Sequence, residues 1–161
     1  MQTNLAPSRA PLGPPASGPD GLRIERIGLD RFDEVRALNR AVFGEDRVIM
    51  RLDRDDLVVL LASVEGEAVG YKVGYRESAG TFYSAKGGVV EAWRRTGVAR
   101  ALLAEMEAEA RTLGYRRFAF DTFPNKHPGM TVLALAERFE LTAAGYNAAY
   151  RDYRLRFERD L

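Results

Sequence analysis

Residues 89–103 change from a strand-like to a helix-like pattern within a few positions; the segment reads VVEAWRRTGVARALL. Arg94 and Arg95 precede Gly97, and an alanine- and leucine-rich run follows. A helix that begins here leaves its first backbone N–H groups without partners and carries a partial positive charge, so an anion suits its end. Gly97 allows a close approach to the backbone, and the arginines add charge-assisted hydrogen bonds. The segment therefore predicts a phosphate-binding turn.

Two other phosphate-binding loops are excluded by the sequence. A P-loop ends in Gly-Lys-Ser or Gly-Lys-Thr, and the chain contains neither. A dinucleotide-binding fold needs Gly-x-Gly-x-x-Gly after its first strand, and that pattern is also missing. A plain strand-to-helix loop with solvated arginines remains the alternative on these residues alone.

The segments before the turn predict one helix and several strands. Alternation of apolar and polar residues at 22–28 predicts a short strand. Asp30 is a predicted helix N-cap, apolar residues follow at helical spacing, and Gly44 ends the helix. The charged segment 45–56 is compatible with a short second helix. Three apolar segments then predict an antiparallel meander, with strands at residues 57–64, 68–76 and 81–90.

The segments after the turn complete a mixed pattern. A helix is predicted from Gly97 to Gly114, and Gly87-Gly88 before it predict a bulge or a close backbone approach. A strand, an apolar helix and two final strands follow, at residues 116–122, 130–139, 140–144 and 150–157. The order predicts an α/β (α+β) fold with one mixed, mostly antiparallel central sheet flanked by helices.

The N-terminal segment differs from the rest in composition. Residues 1–21 hold five of the seven prolines, so we expect a disordered proline-rich arm ahead of one domain at residues 22–161. A partner-binding segment is the alternative. The arm has no apolar signal region, and no run of about 18 apolar residues exists, so we expect a cytoplasmic protein that does not enter a membrane.

Composition excludes several functions. The absence of cysteine removes disulfides, thiolate metal sites and cysteine nucleophiles, and a single histidine removes a histidine-rich metal site. We therefore expect no metal. The formal net charge of +1 lacks the basic surplus that nucleic-acid binding requires, so we expect no nucleic-acid partner.

Residues 89–103 resemble motif A of the GNAT superfamily of acyl-CoA-dependent N-acyltransferases. That motif reads Val-x-Pro-x-Arg/Gln-x-x-Gly-x-Gly/Ala at the end of the fourth strand. Val90, Arg94, Gly97 and Ala99 take its positions, while Ala92 replaces the proline. The order of predicted elements from residue 22 onward is also similar to that family, which implies a GNAT-like fold.

The resemblance implies acetyl-CoA as co-substrate, with its pyrophosphate on the turn and its pantetheine and acyl carbonyl beside the fourth strand. In the family the fourth and fifth strands separate, and the thioester lies between them. The residues that the resemblance assigns to the cofactor are Val89, Val90, Arg94, Arg95, Thr96, Gly97, Val98, Ala99, Arg100 and Asn125.

The implied reaction is a direct attack of an amine on the thioester. Only on the order of one lysine-like amine in 2,500 is neutral at pH 7, so a general base assists. Glu91, Asp121 and His127 are the candidate catalytic residues. The alternative for each carboxylate is surface solvation or a salt bridge to an arginine, and the alternative for the histidine is a helix-capping or exposed turn position. Tyr83 and Tyr146 are weaker candidates for the acceptor side.

One position departs from the family. A tyrosine in Tyr-x-x-x-Gly-Phe often protonates the departing thiolate there, but this chain has Ala134 at that position and Arg138 in place of the glycine. The sequence therefore predicts N-acetyl transfer to a small-molecule or peptide amine, with another acid or none. A non-catalytic acyl-CoA sensor and an interaction module that uses the N-terminal arm remain alternatives, and a homodimer is compatible with the fold.

Overall fold

Seven strands form one sheet in the computed structural model, which describes residues 18–161. They are β1 Leu22–Arg26, β2 Val58–Val64, β3 Glu67–Arg76, β4 Thr81–Val89, β5 Arg117–Thr122, β6 Glu140–Asn147 and β7 Asp152–Asp160. The strand order is β1-β2-β3-β4-β5-β7-β6, and every neighbouring pair is antiparallel except β4 and β5. The prediction of a mixed, mostly antiparallel sheet is confirmed. Residues 1–17 of the predicted arm lie outside the described residues.

Three helices cover the two faces of the sheet: α1 Phe32–Phe43, α2 Val98–Thr112 and α3 Pro128–Ala136. Apolar residues of α2 and α3, such as Leu102 and Ala134, share one core with β2 and β4. Residues of α1, such as Val35 and Leu38, form a second core on the other face. The sheet therefore separates an α2–α3 face from an α1 face.

The start of α1 differs from the prediction. Asp30 lies inside a single 3-10 turn, Leu29–Arg31, and Arg31 holds the N-cap position without a side-chain hydrogen bond. The predicted N-cap was wrong because this extra turn moves the start of the helix past the aspartate. Gly44 ends α1 in the left-handed region, at φ 69°, as predicted.

The segment between α1 and β2 contains no helix, so the alternative of a short second helix is wrong. Buried Asn39 of α1 donates hydrogen bonds to the carbonyl oxygens of Glu45 (2.5 Å) and Arg47 (3.4 Å). The Tyr71 hydroxyl donates to the amide oxygen of Asn39 (2.7 Å). The backbone here therefore turns toward a buried amide and does not form helical hydrogen bonds with itself.

Strands β4 and β5 are hydrogen-bonded over a short distance only. Their parallel register covers three residue pairs and ends at Tyr83 and Ala119. Strand β4 continues for six residues beyond Tyr83, with a bulge that leaves Ala85 unpaired against β3. The two strands consequently leave a gap between them, which we call the β4–β5 gap.

Two glycines lie on β4 beside this gap. A Cβ on Gly87 would lie 3.1 Å from the carbonyl oxygen of Tyr71, and one on Gly88 would lie 3.1 Å from side-chain atoms of Val42 and Phe43. The predicted close approach of another backbone is found at Gly87, whereas the neighbours of Gly88 are side chains. Near the C-terminus, Gly145 lies within β6, which continues to Asn147.

Candidate active site

The turn before α2 has the geometry of an anion site. Gly97 is the N-cap in the left-handed region, at φ 96° and ψ 0°, and no side chain caps the helix. The Thr96 hydroxyl donates instead to the carbonyl of Trp93 (2.6 Å). The first hydrogen bond into the helix runs from Ala101 N–H to Gly97 O (3.0 Å), so the N–H groups of Val98 and Ala99 have no helical partner. These groups and the helix dipole can hold a phosphate.

The structure gives two reasons for glycine at position 97. Its positive φ disfavours any residue with a Cβ. A Cβ there would also lie 3.1 Å from the Cα of Gly18, which precedes β1. The sequence predicted glycine at this position only from the close approach of a ligand. It could not predict the contact between Gly18 and Gly97, because that contact forms only in the folded chain. The described part of the N-terminal segment thus begins beside the turn.

The arginines of the turn differ in environment. Arg94 is exposed, and its Nε donates to the carbonyl of Val89 (3.2 Å). Arg95 is exposed and has a positive φ of 61°. Arg100 is partly buried and pairs with Glu137 after α3 (2.5 Å). Arg94 and Arg95 are therefore the two arginines whose exposed guanidinium groups could contact a phosphate bound at the turn.

The backbone at the end of β4 distinguishes Val89 from Val90. The N–H of Val90 donates to the carbonyl of Val69 on β3 (2.9 Å). Because backbone groups alternate in direction along a strand, the peptide groups of Val89 and Gly87 point away from β3, toward the β4–β5 gap. The structure therefore places Val89 and Gly87 beside the gap, whereas the N–H of Val90 is occupied.

Asn125 has a structural contact. Its Nδ2 donates to Oδ1 of buried Asp152 (2.7 Å), and the N–H groups of Asn125 and Lys126 donate to Oδ2 of the same carboxylate (2.9 and 3.1 Å). These bonds lower the pKa of Asp152, while burial opposes them. The amide of Asn125 thus secures the loop between β5 and α3.

Asp121 lies on β5 beside the β4–β5 gap, on the α1 face. The Tyr83 hydroxyl donates to its Oδ2 (2.6 Å), and Nη2 of Arg154 on β7 pairs with the same oxygen (2.5 Å). The side chain of Asp121 is 6% exposed, and its Oδ1 is buried without a hydrogen-bond partner in residues 18–161. Burial and the bond to Asp121 raise the pKa of Tyr83. Asp121 therefore retains one unsatisfied acceptor oxygen.

A cavity of about 420 Å³ adjoins this carboxylate. It is lined by Asp121, Arg154 and Arg156, and by residues 143–147 at the C-terminal end of β6, which include the exposed Tyr146. Arg156 is held by Glu77, with bonds of 2.8 and 2.5 Å. Sequence reasoning missed Arg154, because an arginine in the alternating strand β7 looks like any solvent-facing residue.

His127 is brought close to the same face by α1. Its ring makes an edge-on contact with Phe43, at 5.6 Å between centroids, and Phe43 packs beside the position of Gly88 on β4. His127 occupies the N-cap position of α3, but its side chain caps nothing. Partial burial, followed by the charges of Lys126 and Lys86, lowers the pKa of His127. The imidazole is therefore neutral near pH 7 and can accept a proton.

Glu91 lies apart from the other two catalytic candidates. It is exposed and begins a single 3-10 turn, Glu91–Trp93, between β4 and the phosphate turn. No hydrogen bond or ion pair in residues 18–161 links Glu91 to Asp121 or His127.

Across the described chain, no group of three or more His, Cys, Asp or Glu side chains is placed to hold a metal ion. None of the helices in these residues is long and apolar enough to cross a membrane.

The end of α3 matches the departure noted in the sequence. Ala134 is fully buried in the α2–α3 core and provides no proton donor. Arg138 has a positive φ of 65°, a conformation for which glycine is the usual residue. The N–H of Phe139 donates to the carbonyl of Ala134 (3.0 Å).

The comparisons with known proteins concern the family and the fold. A family profile described as Acetyltransferase (GNAT) domain matches residues 26–125. No protein of curated function matches the sequence. A GNAT family acetyltransferase from Elizabethkingia anophelis, solved with acetyl-CoA bound, superposes with a TM-score of 0.71 at 16% identity, over 89% of this chain and 100% of that chain.

Two further solved structures share the fold. The IAA acetyltransferase from Bacillus cereus has a TM-score of 0.72 at 16% identity, over 87% of this chain and 99% of that chain. The GNAT domain of S. lividans PAT has a TM-score of 0.68 at 23% identity, over 87% and 90%. The seven-stranded mixed sheet with its three helices is the fold of GNAT acetyltransferases. The chain belongs to the GNAT acetyltransferase family, because the profile matches more than half of it.

Proposed function

We propose that the protein transfers the acetyl group of acetyl-CoA, as its preferred acyl group, directly to a primary amine. The observation that carries this proposal is the β4–β5 gap, since pairing stops after three residue pairs. The gap lies between the phosphate turn and the side chain of Asp121, which has an unsatisfied oxygen. A thioester in this gap would have its phosphates at one end and an acceptor amine on the α1 face.

The residues of the turn fit the phosphates of coenzyme A. The N–H groups of Val98 and Ala99, together with the helix dipole, would hold the pyrophosphate, and Arg94 and Arg95 would add charge. The backbone of Val89 and Gly87 would hold the acyl carbonyl and the pantetheine. We assign no step to Asn125 beyond securing the neighbouring loop, because its amide is bonded to Asp152.

Asp121 and His127 would have complementary roles toward the acceptor amine. Oδ1 of Asp121 would accept a hydrogen bond from the incoming amine and orient it, since Tyr83 and Arg154 already hold the other oxygen. Neutral His127 would remove the proton that the amine loses. The exposed Glu91 stays the weaker candidate.

The acceptor remains broadly defined as a small-molecule or peptide amine. Three of the five acidic residues of segment 45–56 are paired with cations, which weakens the negative field of this segment. Lys86 pairs with Glu45 (2.7 Å), Arg40 with Asp46 (3.1 Å), and Arg51 with Asp53 (2.9 Å). Selection therefore falls to the cavity beside Asp121.

A non-catalytic acyl-CoA sensor is the second candidate, and one observation favours it. Ala134 occupies the position of the proton-donating tyrosine and is completely buried. A sensor would bind acetyl-CoA and release no free thiol in the presence of any amine. A homodimer and a cytoplasmic location are further proposals, which size-exclusion chromatography and cell fractionation would test.

The first experiment separates these functions. Melting temperatures are measured with acetyl-CoA, coenzyme A and ATP, and a ligand at 100 times its dissociation constant adds about 2.7 kcal/mol of stability. Thiol release is then followed with a panel of polyamines, amino acids and peptides. We expect stabilisation by both forms of coenzyme A but not by ATP, together with thiol release that depends on an amine. Binding without release would support the sensor, and no binding at millimolar ligand would support the interaction module.

Matched variants test the acceptor side. Asp121→Asn should lower kcat/KM for the amine by at least tenfold while leaving acetyl-CoA affinity unchanged. Asp33→Asn is the control, since Asp33 is an exposed carboxylate on α1 paired with Arg36. Equal amine kinetics in both variants would remove Asp121 from the site.

A further inference from the structure

Lys72 is a charged residue inside the α2–α3 core. It lies on β3 and is 6% exposed. Its neighbours on the same strand face are Gly70 and Gly74, whose missing side chains would meet Leu102 of α2 and Phe82 of β4. A lysine at such a position is uncommon, because burial of an ammonium group costs free energy.

The side chain of Lys72 lies across β4 beside the β4–β5 gap. Lys72 pairs with Gly87 in the register of β3 and β4. The place that a Cβ of Gly87 would take lies 3.3 Å from Cγ and 3.5 Å from Nζ of Lys72. Gly87 is four residues beyond Tyr83, the last β4 residue that pairs with β5. The absence of a side chain at Gly87 thus leaves room for the lysine at the gap.

The ammonium group lacks a close partner. Glu107 of α2 is the carboxylate that influences it, but both oxygens of Glu107 are bonded to Arg159 of β7, at 2.5–2.8 Å. No ion pair or hydrogen bond of Nζ is found in residues 18–161. Nζ is not among the fully buried atoms that lack a partner, so the ammonium keeps a small contact with solvent. The rest of the side chain is buried among apolar residues, a costly position for a lysine that calls for a functional explanation.

The missing tyrosine belongs to the same face. Ala134 of α3 and Lys72 both lie in the α2–α3 core, so a donor at either residue would approach the gap from that face. Asp121 and His127 lie toward the α1 face. The candidate proton acceptors Asp121 and His127 therefore lie on one face, and Lys72 is a candidate proton donor on the other.

We propose that Lys72 protonates the sulfur of coenzyme A as it leaves. This inference rests on the proposed acyl transfer. The amine nitrogen forms a bond to the thioester carbonyl carbon, the C–S bond breaks, and its electron pair passes to sulfur. Nζ of Lys72 gives a proton to that sulfur and becomes a neutral amine. The proton lost by the acceptor amine goes to the α1-face base, and solvent returns both groups to their starting states.

The acidity of Lys72 suits this role. Burial lowers its pKa to about 8, and the charge of Glu107 opposes the shift. An alkyl thiol has a pKa of about 8.5, so the proton transfer is nearly balanced. Lys72 is still largely protonated at pH 7.

The test replaces Lys72 by methionine, an unbranched side chain of similar shape that lacks the terminal amine and so cannot donate a proton. We expect Lys72→Met to lower kcat at pH 7 at least 100-fold, with the dissociation constant of acetyl-CoA within threefold of wild type. The melting temperature should stay the same or rise, since a buried charge is removed. In wild type, kcat should fall above about pH 8 as Lys72 loses its proton, and this fall should be absent in the variant. Lys72→Gln repeats the comparison if the methionine variant does not fold.

Three results would overturn the proposal. They are a kcat within threefold of wild type, an alkaline fall that persists in the variant, and a loss confined to acetyl-CoA affinity. The last would make Lys72 a binding residue. If wild type itself transfers no acyl group, the proposed function fails and this inference fails with it. A transferring wild type with an equally fast variant overturns the role of Lys72 alone.

Discussion

Replacement of Gly97 by alanine separates the two requirements at the phosphate turn. A Cβ at φ 96° costs about 1–2 kcal/mol of folding free energy. Gly114, at the other end of α2, has φ 91° but no atom within 4 Å of the place its Cβ would take. Gly114→Ala is therefore a matched control with similar backbone strain and no contact with the turn.

The contact with Gly18 makes the two variants differ. A Cβ on Gly97 lies 3.1 Å from the Cα of Gly18, so either that segment or the turn must move. A moved turn misaligns the N–H groups of Val98 and Ala99. We expect Gly97→Ala to weaken acetyl-CoA binding at least tenfold, which is about 1.4 kcal/mol. Gly97→Glu adds bulk and negative charge and should abolish binding.

Urea denaturation and isothermal titration measure the two effects. Both alanine variants should lose about 1–2 kcal/mol of stability, but only Gly97→Ala should lose affinity for acetyl-CoA. If Gly97→Ala binds as tightly as Gly114→Ala and wild type, the turn at residues 94–100 does not hold the cofactor, and the reasoning from its geometry is refuted.

Three further predictions concern charge. Arg94→Ala should weaken coenzyme A binding by roughly 1.5–3 kcal/mol in a titration, and unchanged affinity would leave Arg94 a solvated residue. The pKa of His127 is lowered in the folded protein, so below about pH 6.5 the unfolded chain binds more protons than the folded chain. The free energy of unfolding therefore decreases as the pH is lowered through this range. His127→Gln should lessen that fall in urea denaturation between pH 7.5 and 5.5, and an unchanged slope would contradict the shift. The lowered pKa of Lys72 has the same sign, so wild-type stability relative to Lys72→Met should rise by about 3 kcal/mol between pH 8 and 10.5, and parallel stabilities would contradict it.

Regular periodicity made much of the fold predictable. Alternation at residues 22–28 and the apolar run at 57–64 correspond to β1 and β2, because one face of β1 is partly buried and both faces of β2 are buried. Gly44 and Gly114 marked helix ends correctly, since both adopt positive φ. These features depend on local chemistry, which the sequence contains.

Features that depend on distant contacts were not predictable. The segment after α1 follows its hydrogen bonds to Asn39, whose burial is not visible in the sequence. The pairing of Asp121 with Arg154 joins β5 and β7, 33 residues apart. Lys72 did leave a signal, since it is a charge in an otherwise apolar strand, but its place beside the β4–β5 gap requires the register with Gly87.

The most direct test of the central claim is a titration of the 15N-labelled 18.0 kDa protein with coenzyme A, followed by amide NMR shifts. If the turn holds the pyrophosphate, the largest shifts should fall on residues 95–100 and on the β4 amides of Gly87 and Val89. Shifts confined to other parts of the protein, or none at millimolar ligand, would contradict the claim.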